Sequence, residues 1–437
     1  MRIFTLIPIL LLSFASHAQF MQVDGKFLKD VSGNKTILRG INYPIMDDGS
    51  VDLNSPASYQ PKIDEFAKTG ANCIRIPWNT DGVHWRDQPG SGGAAGTMQG
   101  YIDNGKLGAL IDYCYTKNLV VILEIHDLTC ANDWAGFNNI VADFWLNENV
   151  LDLINTHQSG LILNIANEFG YDGDWGGDIN IFKTQYISAI EAIRDAGIQV
   201  PIMIDAPDCG MASSSLVSIA GDLLAGDENL IFSVHSYWTA YANTDAEIDA
   251  KMDEMNGSPG CFLFGEIANK QDVDGICGST DISHIYQRVL TNACPMEIGW
   301  LAWSYHKDCA PEREMTNDGT FADLTAYGDD LINNTGYGLK SAGPCSGSAG
   351  LPTGFAVPGL SHSKIEIYPN PNSGTFFLGS DKPIQEVQAY DATGRKIVIT
   401  QSAGSRYRLT GTPSGLYHLK CILKDGTIFS KTISCIQ

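Results

Sequence analysis

Positive charge is scarce in this chain: 28 Lys and Arg stand against 50 Asp and Glu among 437 residues, a formal net charge of −22. Nucleic acid and anionic membrane surfaces are therefore excluded as expected partners, whereas a neutral substrate is compatible with this field. Long hydrophobic runs are nearly absent. The one at the N-terminus, residues 3–14 behind Arg2 and closed by Ser16-His17-Ala18, is shorter than the ~20 residues a bilayer span needs. It reads as a secretory signal peptide over residues 1–18. No other stretch is long enough to span, so the mature chain is expected to be exported, without a transmembrane segment. No CxxC and no Cys/His pair at zinc spacing occurs among the eleven cysteines, which argues against a thiolate metal site. Nor is there a GxGxxG after the first strand-like run, a GxSxG elbow, a His-x-His on the first run, or a Lys at the end of any run. Dinucleotide binding, serine hydrolysis, metal-dependent amidohydrolysis and Schiff-base aldol chemistry each lack their group. No cofactor and no catalytic metal are expected.

Eight β-rich, near-continuously apolar runs are present, at residues 37–43, 72–78, 119–126, 161–168, 201–207, 230–237, 261–267 and 298–305. Strands buried on both faces read this way. Helical patterns lie between them, among them residues 62–68, 107–117, 181–196 and 281–291. Strand and helix alternating eight times close into a (β/α)8 TIM barrel, whose active site gathers at the strand C-termini. An open doubly wound sheet is the competing α/β arrangement. Residues 23–37, around Ser32-Gly33-Asn34, predict a hairpin capping one barrel end. A Gly/Pro/Ser-rich linker at residues 342–364 separates the barrel domain (19–341) from short alternating strands at 365–437, broken at Asn370-Pro-Asn372, Asp391-Ala-Thr-Gly394 and Asp425-Gly426. Such strands predict a small antiparallel β-sandwich. The charge changes sign at that break, with nine Lys and Arg against five Asp and Glu in residues 361–437. Two separately evolved units are expected.

Two of the eight runs end in a carboxylate: Leu161-Ile-Leu-Asn-Ile-Ala-Asn-Glu168 and Phe262-Leu-Phe-Gly-Glu266. An ionised group at the end of a buried strand must be paired or face a cavity, since an unpaired buried charge costs several kcal/mol. On the fourth and seventh runs the two carboxylates would face each other across the barrel mouth. Hydrolysis of a glycoside with retention needs such a pair about 5 to 5.5 Å apart. One member is protonated and one ionised, which mutual repulsion itself favours.

The other run ends carry a pattern. Arg75 in Ile74-Arg-Ile-Pro-Trp78, His126 in Leu123-Glu-Ile-His-Asp127, Asn167 and Glu168, His235 and Tyr237 in Ser233-Val-His-Ser-Tyr237, Glu266, and Trp303 in Trp300-Leu-Ala-Trp-Ser304 resemble, in order, the signature positions of glycoside hydrolase family 5. The resemblance covers about residues 35–310. It implies a retaining endo-acting hydrolase with Glu168 as acid/base and Glu266 as nucleophile. Within that pattern the fixed charge of Arg75 would keep Glu266 ionised. Tyr237 would donate to Glu266, Asn167 would bond the substrate 2-hydroxyl, and His126 and His235 would position sugar hydroxyls or the acid. Trp303 would offer a face to a pyranose ring. The phrasing around these residues is most similar to bacterial endo-β-1,4-mannanases, with endo-β-1,4-glucanases (cellulases) the alternative. Ile267-Ala-Asn269 after the nucleophile departs from the mannanase pattern. A non-catalytic glycan-binding barrel, the rival from another class, would lack one carboxylate.

Around the expected mouth, Trp85, Trp134, Trp175 and Trp238 lie in strand-following loops, where each could line a subsite or simply pack. Asp172, Asp174 and Asp178 in a Gly-rich loop suggest either calcium or a solvated turn, and the missing twelfth-position Glu favours the turn. An exported protein with eleven cysteines should hold disulfides, and the odd count leaves a thiol free. Cys73 and Cys114 fall in core elements and read as small hydrophobes. Cys130, Cys209, Cys277 and Cys309 fall in strand-following loops, where bridges would staple the rim of a site; the spacing leaves their connectivity open. Finally, Ile367-Tyr-Pro-Asn-Pro-Asn-Ser-Gly374, Tyr390-Asp-Ala-Thr-Gly-Arg395, Ser414-Gly-Leu-Tyr417 and Lys431 resemble the C-terminal sorting domain of type IX secretion cargo in Bacteroidetes. The tail contains no Trp to serve as a carbohydrate-binding module. The resemblance implies export through the periplasm to the cell surface or medium, with the secretion machinery and a polysaccharide as partners of a monomeric enzyme.

Overall fold

The structure is a computed structural model that describes residues 20–48, 50–80 and 98–341. In the tail it describes residues 365–435, apart from 369–373, 381–383, 392–394, 404–405, 411–412 and 425–427. The signal peptide, Trp85, the linker, Asn370-Pro-Asn372, residues 392–394 and Asp425-Gly426 lie outside the described residues. The chain divides into two compact units, Met1–Ala356 and Val357–Gln437.

In the first unit eight strands form a closed barrel. They are β1 (Arg39–Asn42), β2 (Cys73–Trp78), β3 (Val120–Ile125), β4 (Leu161–Asn164), β5 (Ile202–Asp205), β6 (Leu230–His235), β7 (Cys261–Ile267) and β8 (Gly299–Ala302). Each pairs in parallel with its sequence neighbour, and β8 closes onto β1 through Trp300 opposite Arg39. Every residue of these strands is buried, the physical reason the runs read as continuously apolar. All eight expected runs hold strands; the seventh keeps its bounds, 261–267, and the other seven are trimmed at their ends.

Among the described residues, eight helices of eight residues or more cover the barrel: α1 (Pro56–Ala67), α2 (Lys106–Thr116), α3 (Glu148–His157), α4 (Ile179–Asp195), α5 (Ser213–Gly226), α6 (Asp245–Gly257), α7 (Ser283–Met296) and α8 (Ala326–Asn333). Helix α1 starts six residues before the expected Lys62, because Pro56 sits in its first turn, where a missing N–H costs nothing. A capping box opens α6, with Thr244 accepting from the Glu247 N–H and the Glu247 carboxylate accepting in return. Below the barrel, residues Gln22–Asp24, Phe27–Lys29 and Lys35–Thr36 form a three-stranded sheet, one strand more than the expected hairpin. After β7 the chain makes a two-stranded antiparallel ribbon, Lys270–Val273 with Ile276–Asp281, which the apolar pattern did not predict.

Two four-stranded antiparallel sheets make up the described part of the second unit. Phe376, Leu378, Tyr407 and Leu409 from one sheet and Ala389, Tyr417, Leu419, Cys421, Ile433 and Cys435 from the other share a single core. That is the sandwich expected from the alternating pattern. Among the described residues, no helix is long and apolar enough to cross a membrane.

Candidate active site

The site is built around a guanidinium at the centre of the barrel. Arg75, on β2, has no solvent exposure, so every N–H it carries must find an acceptor. Its Nη1 donates to Glu266 Oε1 at 2.9 Å and to Asn42 Oδ1 at 2.8 Å. Its Nε and Nη2 donate to Asn164 Oδ1 at 3.0 and 2.8 Å, and Nη2 also donates to Asn167 Oδ1 at 2.6 Å. Asp205 and Glu124 stand 3.5 and 3.8 Å from Nη2. Burial by itself would weaken the charge on Arg75, but Glu124, Asp205 and Glu266 outweigh it and hold the group cationic.

Glu266, on β7, has a donor on each oxygen: Arg75 on Oε1, and the Tyr237 hydroxyl on Oε2 at 2.8 Å. Burial first, and then the neighbouring Glu266, push the Tyr237 hydroxyl well above its ordinary pKa, so it remains a donor. Gly265 precedes the carboxylate for a steric reason. A Cβ there would lie 2.2 Å from the Ser233 hydroxyl and 2.9 Å from the His235 ring, so only glycine lets β7 pass this close to β6.

Glu168 has a different environment. It follows β4 with a left-handed backbone (φ 50°), an uncommon conformation for a non-glycine residue that places it apart from the strand axis. Its N–H donates to Asp205 Oδ2 at 3.1 Å. Oε1 lies 2.7 Å from His235 Nδ1, and Oε2 lies 3.2 Å from the sulfur of Cys130. Burial raises the Glu168 pKa, a push that Glu266 reinforces and His235 only partly offsets. For His235, burial acts against the proton. Glu266, Asp205 and Glu168 overcome it and carry the imidazole up to about 9, so it is an imidazolium at neutral pH. Carboxylate oxygens of Glu168 and Glu266 and a ring nitrogen of His235 all lie within 4.8 Å of one another.

The remaining expected residues converge on the same mouth. Asn167 donates from Nδ2 to the Thr129 hydroxyl at 3.1 Å while accepting from Arg75. His126 lies 3.2 Å from Glu124, which outweighs the opposing effect of burial and raises its pKa. Its ring lies nearly parallel to Trp303, at 5.9 Å between centroids and 15° between planes. The Tyr327 hydroxyl donates to the carbonyls of Ile267 and Trp303, fixing the ends of β7 and β8.

Four residues of this cluster escaped the sequence reading: Asn42, Glu124, Asn164 and Asp205. Each is a fully buried polar group within a strand or at its end, and that interruption of the run was the available signal. Asn42, for instance, donates to the carbonyls of Gly265 and Ala302 and accepts from Arg75, tying β1, β7, β8 and β2 together.

Around the rim, Cys130 bridges to Cys209 and Cys277 to Cys309. These are the four cysteines expected in strand-following loops, now with a connectivity, and Cys294 is also disulfide-bonded. Cys73 and Cys114 are free and buried, as expected. Of the loop tryptophans, Trp238 is fully buried and donates to the Met211 carbonyl, so it packs. Trp134 packs edge-on against Phe137, Phe169 and Phe182. Trp175 is 43% exposed beside Tyr171 and is the most exposed of the described loop tryptophans. In the acidic loop, Asp172 accepts from the Gly173 N–H and from the Ser215 hydroxyl, and Asp178 caps α4 by accepting from the Asn180 N–H. These two carboxylates are occupied as caps and turn formers.

Comparison with known proteins places this arrangement. Residues 30–309 match the model of the cellulase family, glycosyl hydrolase family 5. The mannan endo-1,4-beta-mannosidase of Salipaludibacillus agaradhaerens is 26% identical over 71% of this chain and 90% of its own. That of Cellvibrio japonicus is 25% identical over 75% and 69%. The catalytic domain of a Streptomyces mannanase superposes with a TM-score of 0.57 at 21% identity, covering 75% of this chain and 94% of that one. Residues 366–435 match the secretion system C-terminal sorting domain, which makes this a secreted or cell-surface protein. The family model spans most of the barrel and the closed eight-stranded sheet agrees with it: the chain belongs to glycosyl hydrolase family 5 and is a glycosidase.

Proposed function

We propose that this enzyme is a retaining endo-β-1,4-mannanase in which Glu168 is the acid/base and Glu266 the nucleophile. The observation that carries the assignment is the contrast between two neighbouring carboxyls. Glu266 accepts from a buried guanidinium and from a tyrosine hydroxyl, which favours the carboxylate. Glu168 is buried, with one oxygen against a disulfide sulfur, and its pKa is raised, which favours the acid. In the first step a Glu266 oxygen bonds to the anomeric carbon as the glycosidic C–O bond breaks, and the Glu168 proton passes to the departing oxygen. In the second, a water attacks the same carbon, Glu168 takes its proton, and the Glu266 ester bond breaks. His235, an imidazolium between the carboxyls, holds Glu168 in place while it changes charge.

Mannan as substrate is supported by the curated relatives, whose names are mannan endo-1,4-beta-mannosidase over most of their shared length. A β-1,4-glucan is the second reading. A relative matching 42% of this chain is a beta-mannanase/endoglucanase, and Ile267-Ala-Asn269 departs from the mannanase pattern. Reducing-sugar release from mannan, glucomannan, carboxymethyl cellulose, xyloglucan and xylan, compared side by side, tests the substrate. Proton NMR in the first minutes tests the mechanism: the first product should be the β anomer, and an initial α anomer would sink it.

We also propose that the tail is required for export and dispensable for catalysis, with transit through the periplasm. The barrel unit reaches past β8, since the Arg39 guanidinium donates to the carbonyls of Tyr337 and Gly338 at 2.6 Å. A chain ended at Pro344 keeps those bonds. Its specific activity should equal that of the full chain, while in the native host it should accumulate in the periplasm. Loss of activity on insoluble but not on soluble substrate would make the tail a binding module instead.

A further inference from the structure

The contact between Glu168 and a disulfide is not explained by the mechanism above. Cys130 follows β3 and Cys209 follows β5, and their bridge spans the loop after β4 that carries Glu168. The three loops are laced together beneath it. The Gly170 N–H donates to the Ala131 carbonyl, the Asp208 N–H to the Gly170 carbonyl, and the Tyr171 hydroxyl to the Cys130 carbonyl. Both half-cystines are left-handed, at φ 54° and 53°, a conformation that persists in non-glycine residues only where the surroundings enforce it. Gly210 next to Cys209 allows the close approach: at φ 75° it lies where a Cβ would be 2.7 Å from the His235 ring. The bridge therefore sits directly over the His235–Glu168 pair.

The chemistry of the contact follows from the bond. A disulfide sulfur carries no proton and cannot donate. Oε1 of Glu168 is already engaged by His235. Oε2 thus faces a surface that offers a negative charge no hydrogen bond, only polarisable bulk. We infer that the Cys130–Cys209 disulfide is a positioning element for Glu168: it clamps the β3 and β5 loops across the β4 loop and lays a protonless sulfur against Oε2, so that this oxygen keeps the proton destined for the leaving group. The inference rests on the assignment of Glu168 as acid/base. The other ionisable groups around Glu168 are His235 on β6, Glu266 on β7, Asp205 at its N–H, and His126 after β3, with Arg75, Glu124 and Tyr237 behind them. The bridge touches the one oxygen that none of these occupies among the described contacts.

Replacing the sulfurs with hydroxyls, in Cys130→Ser/Cys209→Ser, supplies a donor at Oε2. The alkaline limb of kcat/KM on soluble polysaccharide should then move down by about one pH unit, with the acidic limb unmoved. Should the double variant not fold, the native enzyme reduced by a phosphine, with thiols at 130 and 209 verified by mass, should shift in the same direction. Cys277→Ser/Cys309→Ser, which removes the other bridge, should leave the limb in place. An alkaline limb unmoved in both the serine pair and the reduced enzyme overturns the proposal. So does an equal shift on loss of the second bridge, which would show general loosening. A Glu168→Gln arm separates the two readings. If that variant keeps more than a tenth of the activity on polysaccharide, the acid/base assignment itself fails. If it loses activity while the serine pair keeps the native limb, only the role of the disulfide is lost.

Discussion

Glu266→Gln is expected to lower hydrolysis of polysaccharide and of activated aryl glycosides alike, by roughly 10^4 to 10^6-fold, the scale seen when a covalent nucleophile is removed. The amide keeps the shape of the side chain and one acceptor oxygen for Arg75, while its NH2 can no longer accept from Tyr237, so the fold should survive and the loss should be chiefly chemical. Glu168→Gln should differ by substrate. On polysaccharide, whose leaving alkoxide needs a proton, the loss should be about 10^2 to 10^4-fold. On a dinitrophenyl glycoside the glycosyl-enzyme should still form and then turn over slowly, and azide should restore that turnover by replacing the water that Glu168 no longer activates. A fluoro-sugar inhibitor should label Glu266. Labelling of any other residue would invalidate the role assignment.

Arg75→Met is expected to destabilise the barrel by about 3 to 5 kcal/mol, since it removes the cation from among three buried carboxylates and leaves them uncompensated. In a unit of this size that is a fall in Tm on the order of 10 °C. Activity should fall with it, because Glu266 loses the guanidinium that holds its Oε1 in place. Arg75→Lys should lie between the two. An ammonium restores the charge but not the planar set of donors that reaches Asn42, Asn164, Asn167 and Glu266 at once. A melting temperature for Arg75→Met within 2 °C of the native value (about 1 kcal/mol) would show that this network contributes little.

Much of the fold was legible because parallel strands buried on both faces leave continuous apolar runs, and eight such runs alternating with helical patterns admit few arrangements. The helix starting at Pro56 and the ribbon after β7 were less legible. A proline at the first helical turn looks like a break, and a half-exposed ribbon lacks an apolar signature. At the site, the residues at strand ends stood out, since a polar group closing an apolar run has to point into the mouth. Glu124, Asn164 and Asp205 did not, although each interrupts or closes such a run, because a single polar residue in a strand reveals nothing about its acceptor on the opposite wall.

By itself the sequence determined the barrel, the two carboxylates and the sorting tail, since each is written in local order: periodicity, run ends and short contiguous motifs. Only the tertiary structure decided what surrounds each carboxyl. That depends on Arg75, 191 residues before Glu266 in the chain and 2.9 Å from it, and on a bridge that brings residues 130 and 209 together over Glu168. Electrostatic environment is a property of distance in space, and barrel closure sets those distances.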